Sequence, residues 1–84
     1  MENTITQKHI DSIIEKSDIK AITIGDKTTV VYLITPTGFV IVESSSCVDP
    51  RNYDENMGYD ICMDKIKDKL WELEGYMLQS HSAC

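Results

Sequence analysis

Basic residues are scarce in this chain: 8 Lys and Arg stand against 14 Asp and Glu, a formal net charge of −6. A domain that grips a nucleic-acid backbone needs a basic stripe, so duplex DNA and RNA drop out as expected partners. Long apolar runs are missing too. No stretch approaches the ~18 apolar residues of a membrane span, and Met1-Glu2-Asn3-Thr4-Ile5-Thr6 carries neither a basic n-region nor an apolar h-region. No membrane partner is expected, and the cytoplasm is the expected location. Cys47, Cys62 and Cys84 are an odd number without a secretion signal, which argues for free thiols rather than a disulfide framework. Cys47 and Cys62 sit in apolar company and read as small core residues.

Catalytic signatures are absent as well. There is no Gly-rich phosphate loop, no H-E-x-x-H, no C-x-x-C and no G-x-S-x-G. The acidic cluster from Asp49 to Asp60 offers no frame with oxygen ligands at positions 1, 3 and 5 and Gly at 6, so it does not read as a calcium loop. His81 and Cys84 form a His-x-x-Cys ending, half of a zinc set. Cys47, Cys62 and His9 lack the spacing to complete it, and a frayed tail is the plainer reading. No carboxylate pair stands out for acid/base work. The expectation is a protein with no catalytic residue, no metal and no cofactor.

What is present describes one small domain. At 84 residues the chain buries only about 60 to 65% of its unfolded surface, so a monomer is marginal and self-association is expected. Thr4 and Gln7 have capping-box spacing, and Ile10, Ile13 and Ile14 follow at helical period, predicting a helix over about 5–16. His9, beside Lys8 and Asp11, reads as part of its solvated face. β-Branched alternation then predicts strands over about 19–25, 28–35 and 39–44. They are separated by Gly25-Asp26-Lys27 and by Pro36-Thr37-Gly38, where Gly is free to take φ > 0. The middle strand, Val30-Val31-Tyr32-Leu33-Ile34, is apolar on both faces, so two layers cover it or one face meets another subunit. Ser44-Ser45-Ser46-Cys47-Val48 reads as leaving the sheet.

Asp49 as N-cap and Pro50 at the first helical position predict a long helix over about 50–79, with a tail at 80–84. Its stripe reads Tyr53, Met57, Ile61, Ile66, Leu70 and Leu73, opposite a charged face of paired Asp, Glu and Lys. Gly58 in its interior costs ~1 kcal/mol relative to Ala, which points to a close approach there. The expected architecture is α+β, a single α-β-β-β-α domain over 1–84 with a three-stranded antiparallel meander.

Two runs carry a resemblance. Cys47-Val48-Asp49-Pro50-Arg51-Asn52-Tyr53-Asp54 and Trp71-Glu72-Leu73-Glu74-Gly75-Tyr76 resemble the C-V-x-P-x-N-[FY]-D and W-x-L-E-G-Y runs of a family of short tailed-phage accessory proteins, the gene product forty-nine / gene sixty-six family. The resemblance implies phage origin, and so the host cytoplasm, without a settled chemistry. The family commonly shows Pro where this chain has Glu72, and losing that Pro favours a continuous helix. Gly75 is then the remaining candidate for a cap or kink, with Tyr76, Met77 and Leu78 packing back on the sheet or across an interface.

Polar groups converge at one place, the junction of the third strand and the long helix. Ser44, Ser45 and Ser46 supply hydroxyls, a helix N-terminus supplies unpaired N–H groups, Arg51 and Asn52 lie in its first turn, and Tyr53 offers a ring for a base. The competing reading is that Asp49 caps the helix, opposing an anion, while the serines satisfy the turn. Two functions follow: an oligomeric sponge for a small nucleotide-type ligand, a cyclic oligonucleotide or ADP-ribose derivative, acting against host defence; or an inhibitor or adaptor that docks on a host protein, with the acidic helix face complementing its charge.

Overall fold

The computed structural model describes residues 4–82; Met1 to Asn3 and Cys84 of the His81–Cys84 ending lie outside them. The order is α1 (Gln7–Glu15), β1 (Asp18–Ile24), β2 (Thr28–Ile34), β3 (Val40–Ser46), a 3₁₀ turn (Pro50–Asn52) and α2 (Glu55–Ser82). The strands form one antiparallel sheet in the order β1-β2-β3, the expected α-β-β-β-α meander. Gly25 at φ 65° and Gly38 at φ 90° make the two reversals, each in the left-handed region that glycine enters without strain. In the second, Gly38 N–H donates to Thr35 O at 2.8 Å and Thr35 N–H to Phe39 O at 2.9 Å.

The start of α1 and the end of β3 move, each for a local reason. The cap of α1 is Thr6, not Thr4: its hydroxyl accepts from His9 N–H at 3.1 Å, and Gln7 reaches forward to Asp11 instead of back. At the other end of the sheet the serines do not leave it. Ser44, Ser45 and Ser46 pair with Val30, Thr29 and Thr28, and the Ser46 and Thr28 hydroxyls bond at 2.8 Å. β2 begins at Thr28, so the outer strand must run equally far to satisfy its backbone; Cys47 N–H closes the ladder on Lys27 O at 2.8 Å.

The core lies between one face of the sheet and α2. Val31 and Leu33 of β2 and Ile41 of β3 meet Cys62, Met63, Ile66 and Leu70, with Ile10 of α1 closing the side. Thr29 is the buried polar residue of this layer; its hydroxyl meets that of Tyr53 at 2.6 Å, and its carbonyl accepts from the Cys62 thiol at 3.7 Å. Burial pushes the Cys62 thiol up from its ordinary value. The seam of α2 therefore runs Gly58, Cys62, Ile66, Leu70, while Met57 and Ile61 of the expected stripe turn outward. Gly58 decides this phase: a Cβ built on it would stand 2.9 Å from Thr29 Cβ, so only glycine lets the helix settle on β2 there. Nothing lies within 4 Å of a Cβ at Gly75, and the helix passes through that residue unbroken. Trp71 packs against the margin of the core, and Tyr76 and Met77 are exposed rather than folded back on the sheet.

Among the described residues nothing covers the other face of the sheet. Alternation sends Ile22, Ile24, Val30, Tyr32, Ile34, Val40 and Val42 to it, together with Asp18, Lys20, Thr28, Ser44 and Ser46. Val42 is 57% exposed and Ile24 54%. The double-sided apolar character of β2 thus has one face in the core and one facing outward. Among the described residues no helix is long and apolar enough to cross a membrane.

The two helix glycines should respond to alanine in opposite directions. Gly58→Ala drives a methyl into Thr29 and should lower stability by about 1–3 kcal/mol despite alanine's better helix propensity. Gly75→Ala meets open space and should raise stability by up to ~1 kcal/mol. Urea unfolding of the two variants reads both signs.

Candidate functional site

The junction after β3 is built from short-range constraints. Asp49 caps the 3₁₀ turn by accepting from Arg51 N–H at 3.0 Å, and its carboxylate also takes the Arg51 side chain, Nη2 at 2.7 Å and Nε at 3.2 Å. The Arg51 guanidinium holds the Asp49 carboxyl below the usual carboxylate range, helped by that backbone N–H, and Asp49 in turn raises Arg51. The long helix begins only afterwards. Asp54 caps it, accepting from Asn56 N–H at 2.9 Å and Met57 N–H at 3.3 Å. A helix starting at Pro50 is thereby corrected to a 3₁₀ turn, an extended Tyr53 and a fresh start at Glu55. The pole expected to face an anion already holds the Asp54 carboxylate.

The other expected residues divide between the faces of the sheet. Ser45 points to the helix side, opposite Thr29, while Ser44 and Ser46 point to the uncovered side, as strand alternation demands. Lys65 reaches across from α2 to donate to the Ser44 carbonyl at 2.8 Å. The Tyr53 hydroxyl is anchored beneath the sheet by Thr29 and, at 3.0 Å, by Thr23, leaving its ring half-buried. Asn52 is exposed, its carbonyl accepting from the Cys47 thiol at 3.8 Å. Arg51, Asn52, Ser44 and Ser46 are thus exposed, whereas Ser45 and Tyr53 lie on the helix side of the sheet. Among the described residues no group of three or more His, Cys, Asp or Glu is placed to hold a metal ion.

A larger concavity lies elsewhere. α1, the β2–β3 turn and the later turns of α2 enclose a groove of about 560 Å³, walled by Ile13, Phe39, Leu70, Leu73 and Met77. His9 Nε2 and Glu74 Oε1 meet at 2.6 Å on its rim, with Glu74 largely sheltered. His9 is therefore not the solitary solvated residue expected. Its partner is 65 positions away on a helix that only the fold brings alongside, and no local spacing signals it.

The family model of the phage protein (N4 Gp49/phage Sf6 gene 66) family matches residues 5–82. The chain belongs to that family of phage proteins. No curated protein and no solved structure matches it.

The Asp49–Arg51 pair gives the junction a pH signature. A carboxyl held low contributes its stabilisation in full above its unfolded value and loses it as pH falls through the folded one. The contribution of this exposed pair should therefore be constant from neutral pH down to about 4 and fade in more acid solution. A carbon-detected NMR titration should place the Asp49 midpoint below the ordinary carboxylate range, and Arg51→Ala should move it up towards that range, the backbone N–H of residue 51 retaining part of the shift.

Proposed function

We propose that this phage protein acts in the host cytoplasm as a non-catalytic, oligomeric sponge that sequesters a nucleotide-type immune signal, a cyclic oligonucleotide or an ADP-ribose derivative. The observation that carries the reading is the position of Ser44 and Ser46. Their hydroxyls, with that of Thr28, stand on the uncovered side of the sheet at the border of its apolar surface, and the chain leads from Ser46 into the turn that carries Arg51. One chain offers a ledge there rather than a pocket, so the ligand site is one that a second copy completes. Arg51 is committed to Asp49 by an exposed ion pair, which water and salt weaken, and a phosphate is a stronger bidentate acceptor for the same fork. Tyr53, tied by its hydroxyl to Thr29 and Thr23 on the helix side, holds the end of the turn that carries Arg51. Family membership supports a phage accessory role, and action against host defence is the use such a sponge would have.

A second reading draws on the same surface. An uncovered apolar sheet face on a chain of net charge −6 also suits an inhibitor or adaptor that docks on a host protein.

Native mass spectrometry of the protein, alone and with a panel of cyclic oligonucleotides and ADP-ribose derivatives, separates the two. The sponge reading expects a discrete oligomer that retains one member of the panel and releases it on Arg51→Ala. Retention of none sinks it, and a host protein becomes the partner to seek.

A further inference from the structure

We infer that the uncovered face of the β1-β2-β3 sheet is where two copies of this chain pack against each other, sheet on sheet, with β2 of one copy lying over β2 of the other. The inference deepens the subunit contact on which the sponge reading rests, but it stands on different observations.

The first is the make-up of the face. Its apolar residues form a diagonal band centred on β2: Ile34 pairs with Val40 and Tyr32 with Val42 on the β3 side, Val30 pairs with Ile22 on the β1 side, and Ile24 extends that end. A sheet this small ordinarily needs a layer on each apolar face, and α1 and α2 supply only one.

The second is charge. The chain carries −6 overall, yet of the outward-facing strand positions only Asp18 and Lys20 are charged, and with opposite signs. A surface meant for a basic partner would display the acidic excess; this one keeps it away. Two copies meeting here bring no like charges together and leave their acidic helices on the outer sides. The hydroxyls of Thr28, Ser44 and Ser46 at one end are neutral and lie at the rim, where water or a partner satisfies them.

Size is the third. Seven-residue strands at ~3.3 Å per residue and three strands at ~4.8 Å spacing give a footprint of about 23 by 14 Å. With side-chain relief that is roughly 600 Å² of accessible surface per copy, or about 1,200 Å² in all, above the ~1,000 Å² that a specific interface needs. A closed dimer uses the same patch twice, and a two-fold axis in the plane of the face sets the central strand on its own copy whichever way it runs. Aligned sheet packing, about 30° between strand directions, then interleaves Val30, Tyr32 and Ile34 at the centre.

Sedimentation equilibrium of the full chain without ligand tests this. The wild type should be an assembly of even subunit number at tens of micromolar. Val42→Asp should weaken association at least ~100-fold, and Ile22→Asp/Val42→Asp should abolish it across this face. Both side chains point away from the core, so circular dichroism should retain the helix signal, and the concentration dependence of Tm should disappear. Val48→Asp, at a residue 94% exposed and off the sheet, is the control that should leave the assembly unchanged. A monomeric wild type, or an assembly whose subunit number survives the folded double variant, overturns the inference. Ligand retention by an oligomer that survives the folded double variant would sink this interface and spare the sponge reading; a dimer through this face that retains no ligand would do the reverse.

Discussion

Where α2 rests on the sheet is set by the contact of Gly58 with Thr29, and most of the molecule follows from that seat. With no side chain at 58 the helix backbone drops onto β2, and Cys62, Ile66 and Leu70 follow at intervals of four along the same line. Thr29 is covered by this approach, so its hydroxyl needs a buried partner, and Tyr53 supplies one from the segment leading into the helix. The same bond fixes where the chain re-enters after β3. Asp54 lies next to Tyr53 and caps a helix whose start is set by the length of chain between the two attachments. The junction is consequently rigid at Tyr53 and open at Arg51.

The fold is layered on one side only. α1 and α2 share a face of the sheet, with Ile10 closing the core edge and the His9–Glu74 pair tying the two helices together beyond it. The other face keeps its apolar strands in the open while the acidic residues gather on the helices. That division of charge from apolar surface gives the two functional readings a common basis. Both need the bare face to be occupied, and they differ in the occupant.

The topology was legible because its punctuation is local. Gly25 and Gly38 mark reversals that need positive φ, and alternation within Thr28 to Ile34 sets the middle strand. Apolar periodicity does not give the helix phase, because closeness to the sheet decides it. Met57 and Ile61 fit a hydrophobic stripe, but the seam holds Gly58 and Cys62, small residues chosen by distance to the sheet. The serines misled for a related reason. Three in a row have the composition of a loop, whereas the unsatisfied backbone of β2 beside them demands a strand. At the site, Asp49 was legible as a cap but not as the partner of Arg51, since a spacing of two belongs to a turn rather than to a helix. The groove under His9 and Glu74 could not be read from the chain at all, because both walls come from elements that no local pattern brings together.

α2 outruns the layer that supports it. Its 28 residues span about 42 Å of a molecule whose longest dimension is 53 Å, and among the described residues the His9–Glu74 pair ties it to α1 before Tyr76 and Met77 stand exposed. Past that point each turn is held by its own hydrogen bonds and propensity, so those turns obey a helix–coil balance separate from the cooperative unfolding of the core. Met77 belongs to this stretch and also walls the apolar groove. The groove therefore has a wall of graded stiffness: firm at Leu70, tied at Glu74, yielding at Met77. Fraying from the helix end would reshape only the Met77 side of the groove and leave the sheet and both hairpins undisturbed.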